Sequence, residues 1–449
     1  MITNLTEGNI HKKLWLFSIP MLVSVMFQQI YNIADSMIAG KFVGENALAA
    51  VGASYPITML FIAVAMGCNI GCSVIISQLF GAKEYGHMKT AITTTYISCI
   101  VLSVFLTVLG FIFCTPLMKL MKTPENIFLD SRLYLNIYIA GIIFLFLYNV
   151  CTGIFNALGD SRTPLYFLIG SSLGNIFLDY LFVTAFEMGI AGVAWATFIA
   201  QGISCVLSIL TLTFRLKKIQ IEKNQQHILF SFPMLKKISV VAIPSVLQQS
   251  FISIGNLFIQ SIINSFGPAV IAGYSAAIKL NTFAITSFTT LANGLSSFTA
   301  QNIGARQLER IKKGFWSGIT LAMCIALPFF IAFFFFCEPL IALFMSNPTE
   351  SSLAMNTGME FLHIVSPFYF IISIKLMSDG VLRGSGSMTY FMIATFSDLI
   401  LRVVLAYILS IFYDITGVWL SWPFGWIIGT ILSFGFYLKG VWKKHLPLK

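Results

Sequence analysis

Apolar runs of about 20 residues, separated by short polar loops, recur along the whole chain, and that length is what an α-helix needs to cross the hydrocarbon core of a bilayer. Twelve are read, near 13–39, 48–72, 91–113, 133–155, 164–186, 191–214, 238–264, 269–297, 315–337, 357–380, 389–411 and 417–438. The pattern predicts an all-α polytopic membrane protein with twelve transmembrane helices. The longest polar stretch, 215–237 (RLKKIQIEKNQQHILFSFPMLKK), divides the runs six and six. It defines a first half at 1–214, a cytoplasmic connector at 215–237 and a second half at 238–449. The connector reads as partly an amphipathic helix on the membrane surface.

The two halves repeat one another at a spacing of about 224 residues. Pro20 recurs as Pro244 and Asn32 as Asn256. Gly44, Gly71, Gln78, Gly81 and Ala82 recur as Gly267, Gly294, Gln301, Gly304 and Ala305. Gly159 recurs as Gly384, and Gly192-Val193 as Gly417-Val418. Six spans per half give both halves the same orientation, so the repeats are parallel and related by a pseudo-two-fold axis along the membrane normal. Such a repeat is a common way for a carrier to build a path between two halves.

Composition agrees: the 449 residues are 57% hydrophobic and 10% charged, with mean hydropathy +0.86, which excludes an ordinary soluble protein. No cleavable signal peptide is expected, because the first apolar run is long and no small-residue cleavage site follows it. The net charge of +10 is a topology signal and not a nucleic-acid surface. With a cytoplasmic N-terminus, twenty of the 27 Lys and Arg fall in cytoplasmic segments, as the positive-inside rule requires. Both termini are therefore expected in the cytoplasm of a bacterial cell, with the chain in its inner (plasma) membrane. The matching loops GAKEYGHMKTA and GARQLERIKKG read as orientation signals that touch anionic lipid headgroups. The eight Cys sit within spans or at their ends and read as packing residues, since no His or carboxylate accompanies Cys68 and Cys72.

No Walker motif is present, so transport would be passive or coupled to an ion gradient. Coupling needs a buried ion-binding group, and a carboxylate inside a span is expensive and functional by default. Asp35 lies near the outer end of span 1, Asn175 and Asp179 lie one turn apart in span 5, and Thr197 lies early in span 6. All four fall at similar depth in the outer half of the bilayer. Two carboxylates, an amide oxygen and a hydroxyl form a hard-oxygen set suited to Na⁺. Two close carboxylates can also share a proton. The bland alternative is an Asp that bonds backbone amides. In the second half, Lys279 and Lys375 read as buried cations, and Asp398 reads as the ion-pair partner of Arg402 or Lys279. Contact with substrate is the sharper alternative for these four. Pro20 and Pro244 sit about two turns into spans 1 and 7, where a missing N–H permits a kink.

These residues resemble the multidrug and toxic compound extrusion (MATE) family, in its DinF-like branch. The resemblance rests on IP…YNIADSMIAG in span 1, AVGASYP at the start of span 2, Q-x-x-G-A at the ends of spans 2 and 8, the LGDSRTP loop, and N-x-x-x-D in span 5 followed by Thr in span 6. It implies two six-helix lobes forming a V around a central cavity, which exchange small cationic or amphipathic organic compounds for Na⁺ or H⁺. It further implies an ion site at Asp35, Asn175, Asp179 and Thr197, with Pro20 as a hinge of span 1. Span 7 (IPSVLQQSFISIGN) lacks the carboxylate that another branch of the family uses in the second lobe. The expectation is a transporter and not an enzyme, with no cofactor beyond the coupling ion and no obligate protein partner. A lipid-linked precursor flippase of the same superfamily is the alternative, favoured by Lys279, Lys375 and Arg402. An intramembrane aspartyl protease is disfavoured, since no G-x-G-D motif is present.

Overall fold

The structure is a computed structural model that describes residues 3–38, 42–221, 225–344 and 352–443, without the side chains of 33–38, 45, 46 and 48. Its first half comprises α1 (Ile10–Ile38), α2 (Glu45–Gly81), α3 (Tyr85–Leu120), α4 (Glu125–Ala140), α5 (Ile142–Ala157), α6 (Arg162–Tyr180), a π-helical turn Leu181–Ala185 and α7 (Gly189–Lys217). The second comprises α8 (Phe232–Asn264), α9 (Pro268–Gly304), α10 (Leu308–Phe335), α11 (Cys337–Ala342), α12 (Ser352–Val365), a 3₁₀ turn Ser366–Phe368, α13 (Tyr369–Gly384) and α14 (Met388–Leu438).

Among the described residues ten helical segments are long and apolar enough to cross a membrane, and the pair α4–α5, bent by 49°, makes an eleventh. Helix α14 has 51 residues and is broken at Tyr413 and Asp414 (φ 50°), so it contains two crossings. Twelve crossings result. The repeat extends to the backbone. Gly189 (φ 57°) stands where the second half has Asp414, and Lys83 (φ 60°) stands where it has Arg306 (φ 57°).

Two compact units form, one of Met1–Asn4 with Val23–Val246, the other of Leu5–Leu22 with Leu247–Lys449. The cuts fall three residues after Pro20 and Pro244, not at the connector that separates the sequence repeats. The reason is close packing at paired glycines. In the first unit a Cβ on Gly71 of α2 would lie 2.5 Å from the Cβ of Ala242 on α8. In the second unit a Cβ on Gly294 of α9 would lie 2.7 Å from Ser18 Oγ on α1. Gly294 is the repeat of Gly71, and Ala242 is the repeat of Ser18. The leading part of α1 also buries Leu14, Phe17 and Met21 against Leu291, Leu295 and Phe315 of the second unit.

Among the described residues between Lys217 and Phe232 there is no amphipathic helix. Helix α7 runs to Lys217 and α8 starts at Phe232, and part of the chain between is docked along the start of α3. Lys89 Nζ donates to the Ile219 carbonyl (2.7 Å), and the Gly86 N–H donates to Gln225 Oε1 (2.8 Å). The N–H groups of Ile228 and Ser231 donate to the hydroxyls of Thr90 (3.0 Å) and Thr94 (3.1 Å), one turn apart. The matching loop of the second unit receives the residues before α1. The Leu5 N–H donates to Gln301 Oε1 (2.9 Å), and Arg310 donates to the carbonyls of Gly8 (2.9 Å) and Leu5 (3.1 Å). These loops therefore anchor chain segments, a role beyond charge and lipid contact.

The LGDSRTP turn is a second anchor. Buried Asp160 accepts from the Thr163 N–H (3.2 Å) and hydroxyl (2.8 Å), which satisfies an otherwise orphaned donor in the first turn of α6. Arg215 from the end of α7 pairs with Asp160 and donates to Thr163 Oγ1 (2.8 Å). Asp160→Ala is expected to lower stability by about 2–4 kcal/mol through the lost cap and charge-assisted bonds. Thermal melting of the purified protein in detergent checks this, and an unchanged Tm would count against the assignment.

Candidate functional site

The site in the first unit is assembled by α1, α6 and α7. Asn175 and Asp179, one turn apart on α6, are 2% and 0% exposed. The Asn175 amide is oriented by its neighbours, since one orientation sets its carbonyl against a carboxylate and the other satisfies both its oxygen and its nitrogen. In the satisfied orientation its nitrogen donates to Tyr31 Oη (2.6 Å) and Asp179 Oδ2 (3.0 Å), and its oxygen accepts from the Thr197 backbone N–H (3.0 Å). The Thr197 hydroxyl donates to the Val193 carbonyl (3.1 Å). Thr197 thus reaches Asn175 through its main chain and not through the hydroxyl. Asp35 lies one turn beyond Tyr31 on α1, and its side chain lies outside the described residues.

Three of the four residues expected to form an ion site are therefore gathered into one hydrogen-bonded group. Beside it, Thr197 lines a cavity of about 60 Å³ with Tyr138, Ala194 and Gln201. That volume suits a few waters or a small ion, whereas a site for a drug-sized molecule needs roughly 300–1,000 Å³. The carboxylate and phenol oxygens can hold Na⁺ or exchange a proton, while the Asn175 amide turns its nitrogen to both and its oxygen to Thr197. Tyr31 was not anticipated. Its signal in the sequence is the i, i+4 spacing to Asp35, which places both on one face of α1.

The second unit carries charge differently from what the sequence suggested. Asp398 pairs with Lys375 (3.5 Å) and not with Arg402 or Lys279. Lys375 also donates to Asp379 Oδ2 (3.0 Å) on the next turn of α13, and Ser433 donates to Asp379 Oδ1 (2.5 Å). Lys279 is exposed and not buried; its ammonium lies 5.4 Å from the Phe344 ring centroid. The physical reason is reach. One turn of α14 separates Asp398 from Arg402, yet the Arg402 guanidinium turns onto the Trp422 ring, 4.5 Å from its centroid, a favourable cation–π arrangement. The i, i+4 spacing of Lys375 and Asp379 was the available signal for the pair that does form.

Comparison with known proteins agrees with this architecture. A family model described as MatE matches residues 20–181 and again 244–408, once in each half. The chain is similar to the "Probable multidrug resistance protein YpnP" of Bacillus subtilis (strain 168), 29% identical over 98% of this chain and 97% of that protein. It is also similar to an "FAD transporter" of Shewanella oneidensis, 24% identical over 74% of each chain. A MOP superfamily transporter from Pyrococcus furiosus has the same fold, with a TM-score of 0.90 at 24% identity over 98% of both chains. A polytopic helical chain with a two-fold repeat, matched in both halves by one family model, belongs to the MatE family of multidrug-efflux membrane transporters.

Proposed function

We propose that this protein is a cation-coupled antiporter that exports small cationic or amphipathic organic compounds across the bacterial inner membrane by alternating access. The observation that carries this reading is the hydrogen-bonded Tyr31–Asn175–Asp179–Thr197 group, in which Asn175 and Asp179 are buried. A carboxylate at that depth is retained against a desolvation cost, and binding of Na⁺ or H⁺ neutralises it. A ligand shifts a conformational equilibrium only by its differential affinity for the two states. Ion binding at Asp179, with Asp35 as second carboxylate, supplies that difference. Pro20 is the proposed flexible point of α1, because it removes one helical hydrogen bond close to where α1 passes between the two units. The distribution of Lys and Arg supports cytoplasmic termini. Relatives named as multidrug resistance proteins support an organic substrate. The flippase alternative is weakened, since Lys375 is neutralised by Asp379 and Asp398.

The test is efflux of a fluorescent organic cation from proteoliposomes with Na⁺ and H⁺ gradients imposed separately. Wild type is expected to respond to one gradient, and Asp35→Asn is expected to respond to neither. Equal export by both proteins would sink the proposal.

A further inference from the structure

The second unit contains donors without acceptors. Arg402 is 7% exposed and stacks on Trp422, but it makes no hydrogen bond or ion pair with any described residue. The indole N–H groups of Trp419 and Trp422 are buried and likewise have no acceptor. Around them stand Tyr274, stacked on Trp419 at 5.3 Å, Phe361, edge-on to both indoles, and Trp426, edge-on to Trp422. Arg402, Trp419 and Trp422 thus belong to one cluster of aromatic rings, linked through Trp422 and Phe361.

Charge points the same way. Lys375, Arg383 and Arg402 are buried in this unit, against Asp379 and Asp398. Lys375 engages both carboxylates. Arg383 donates to the neutral Asn293 amide (2.7 Å), and Glu360 on α12 accepts from the Thr416 hydroxyl and forms no ion pair with Arg402. A largely buried cation with no counter-charge is costly, although only the two indole nitrogens, and not those of Arg402, are fully buried and unpaired; aromatic edges and indole N–H groups are positive ends of their dipoles.

We infer that the box formed by Arg402, Trp419 and Trp422 binds a small monovalent anion of the halide class. The anion accepts from the guanidinium and the two indole N–H groups and neutralises the unit's excess positive charge. No bond is made or broken. A buried water is the competing occupant, and halide dependence separates the two. This inference stands on the second unit alone and is independent of ion coupling in the first.

Sodium bromide is titrated against sodium gluconate, at constant ionic strength, into the full chain purified in detergent. Tryptophan fluorescence and Tm are both followed. The expected result is a saturable fluorescence change and a rise in Tm with bromide, beyond the linear collisional quenching of the other tryptophans. Arg402→Gln abolishes the saturable part. Trp422→Phe keeps the ring beneath Arg402 and removes one N–H, so the midpoint of the bromide-dependent Tm rise shifts about fivefold higher. If Arg402→Gln does not fold, the Trp419→Phe/Trp422→Phe double variant carries the test through Tm. Equal Tm in bromide and gluconate, or a saturable response that survives in Arg402→Gln, overturns the inference.

Discussion

Asparagine in place of Asp179 is expected to uncouple export from the ion gradient while the protein remains folded. The carboxylate is fully buried and accepts from the Asn175 amide through Oδ2. An amide side chain has nearly the same shape, so packing survives and one acceptor oxygen is retained. What is lost is the ability to carry negative charge and to trade it for Na⁺ or a proton. Coupling energies between sites are typically 1–3 kcal/mol, or roughly 5- to 150-fold. Gradient-driven export should fall by that factor to the rate seen without a gradient. Size-exclusion profiles of the variant should match wild type. Export that still accelerates under the favoured gradient would show that coupling lies elsewhere.

The largest loss of stability is expected from Lys375→Met. The ammonium is buried between Asp379 and Asp398, and its removal leaves two carboxylates in low dielectric with no cation beside them. Breaking one buried pair costs about 3–5 kcal/mol, so the variant should melt far below wild type in detergent or fail to accumulate. The informative partner is Lys375→Met/Asp379→Asn/Asp398→Asn, in which every member of the network is neutral. That triple variant should recover most of the lost stability, because replacing a buried ion network by neutral groups is often close to neutral in energy. A Lys375→Met protein with wild-type Tm would mean that the lysine is not structural, and would return it to the candidates for substrate contact.

The membrane crossings and the repeat were legible because both rest on period and length, which a single sequence carries. The break in the 51-residue α14 was legible as the gap between the runs 389–411 and 417–438, where Asp414 and Thr416 interrupt the apolar pattern. In the first unit the grouping of Asn175, Asp179 and Thr197 could be read from depth, since three spans of known direction fix how far along each helix a residue sits. The partners of Asp398 could not be read in this way. Spacing on one helix offered Arg402, and the choice of Lys375 depends on how α13 packs against α14. The docking of 225–231 on Thr90 and Thr94 was also hidden, because the donors are backbone N–H groups that every residue but proline possesses.

The contact between Ser18 and Gly294, with the Leu5–Gln301 hydrogen bond beside it, bears on the order in which the protein can be assembled during synthesis. Leu5 and Gln301 are 296 positions apart, and at about 5–20 residues per second a ribosome needs roughly 15–60 s to pass from one to the other. Throughout that interval the leading turns of α1 are inserted without the surface they finally occupy. The first unit requires nothing made after Val246 and can finish early. The second cannot close until its earliest residues return to it. Ser18, Leu14 and Phe17 are therefore the positions at which a nascent chain is exposed longest to the insertion machinery and to membrane proteases.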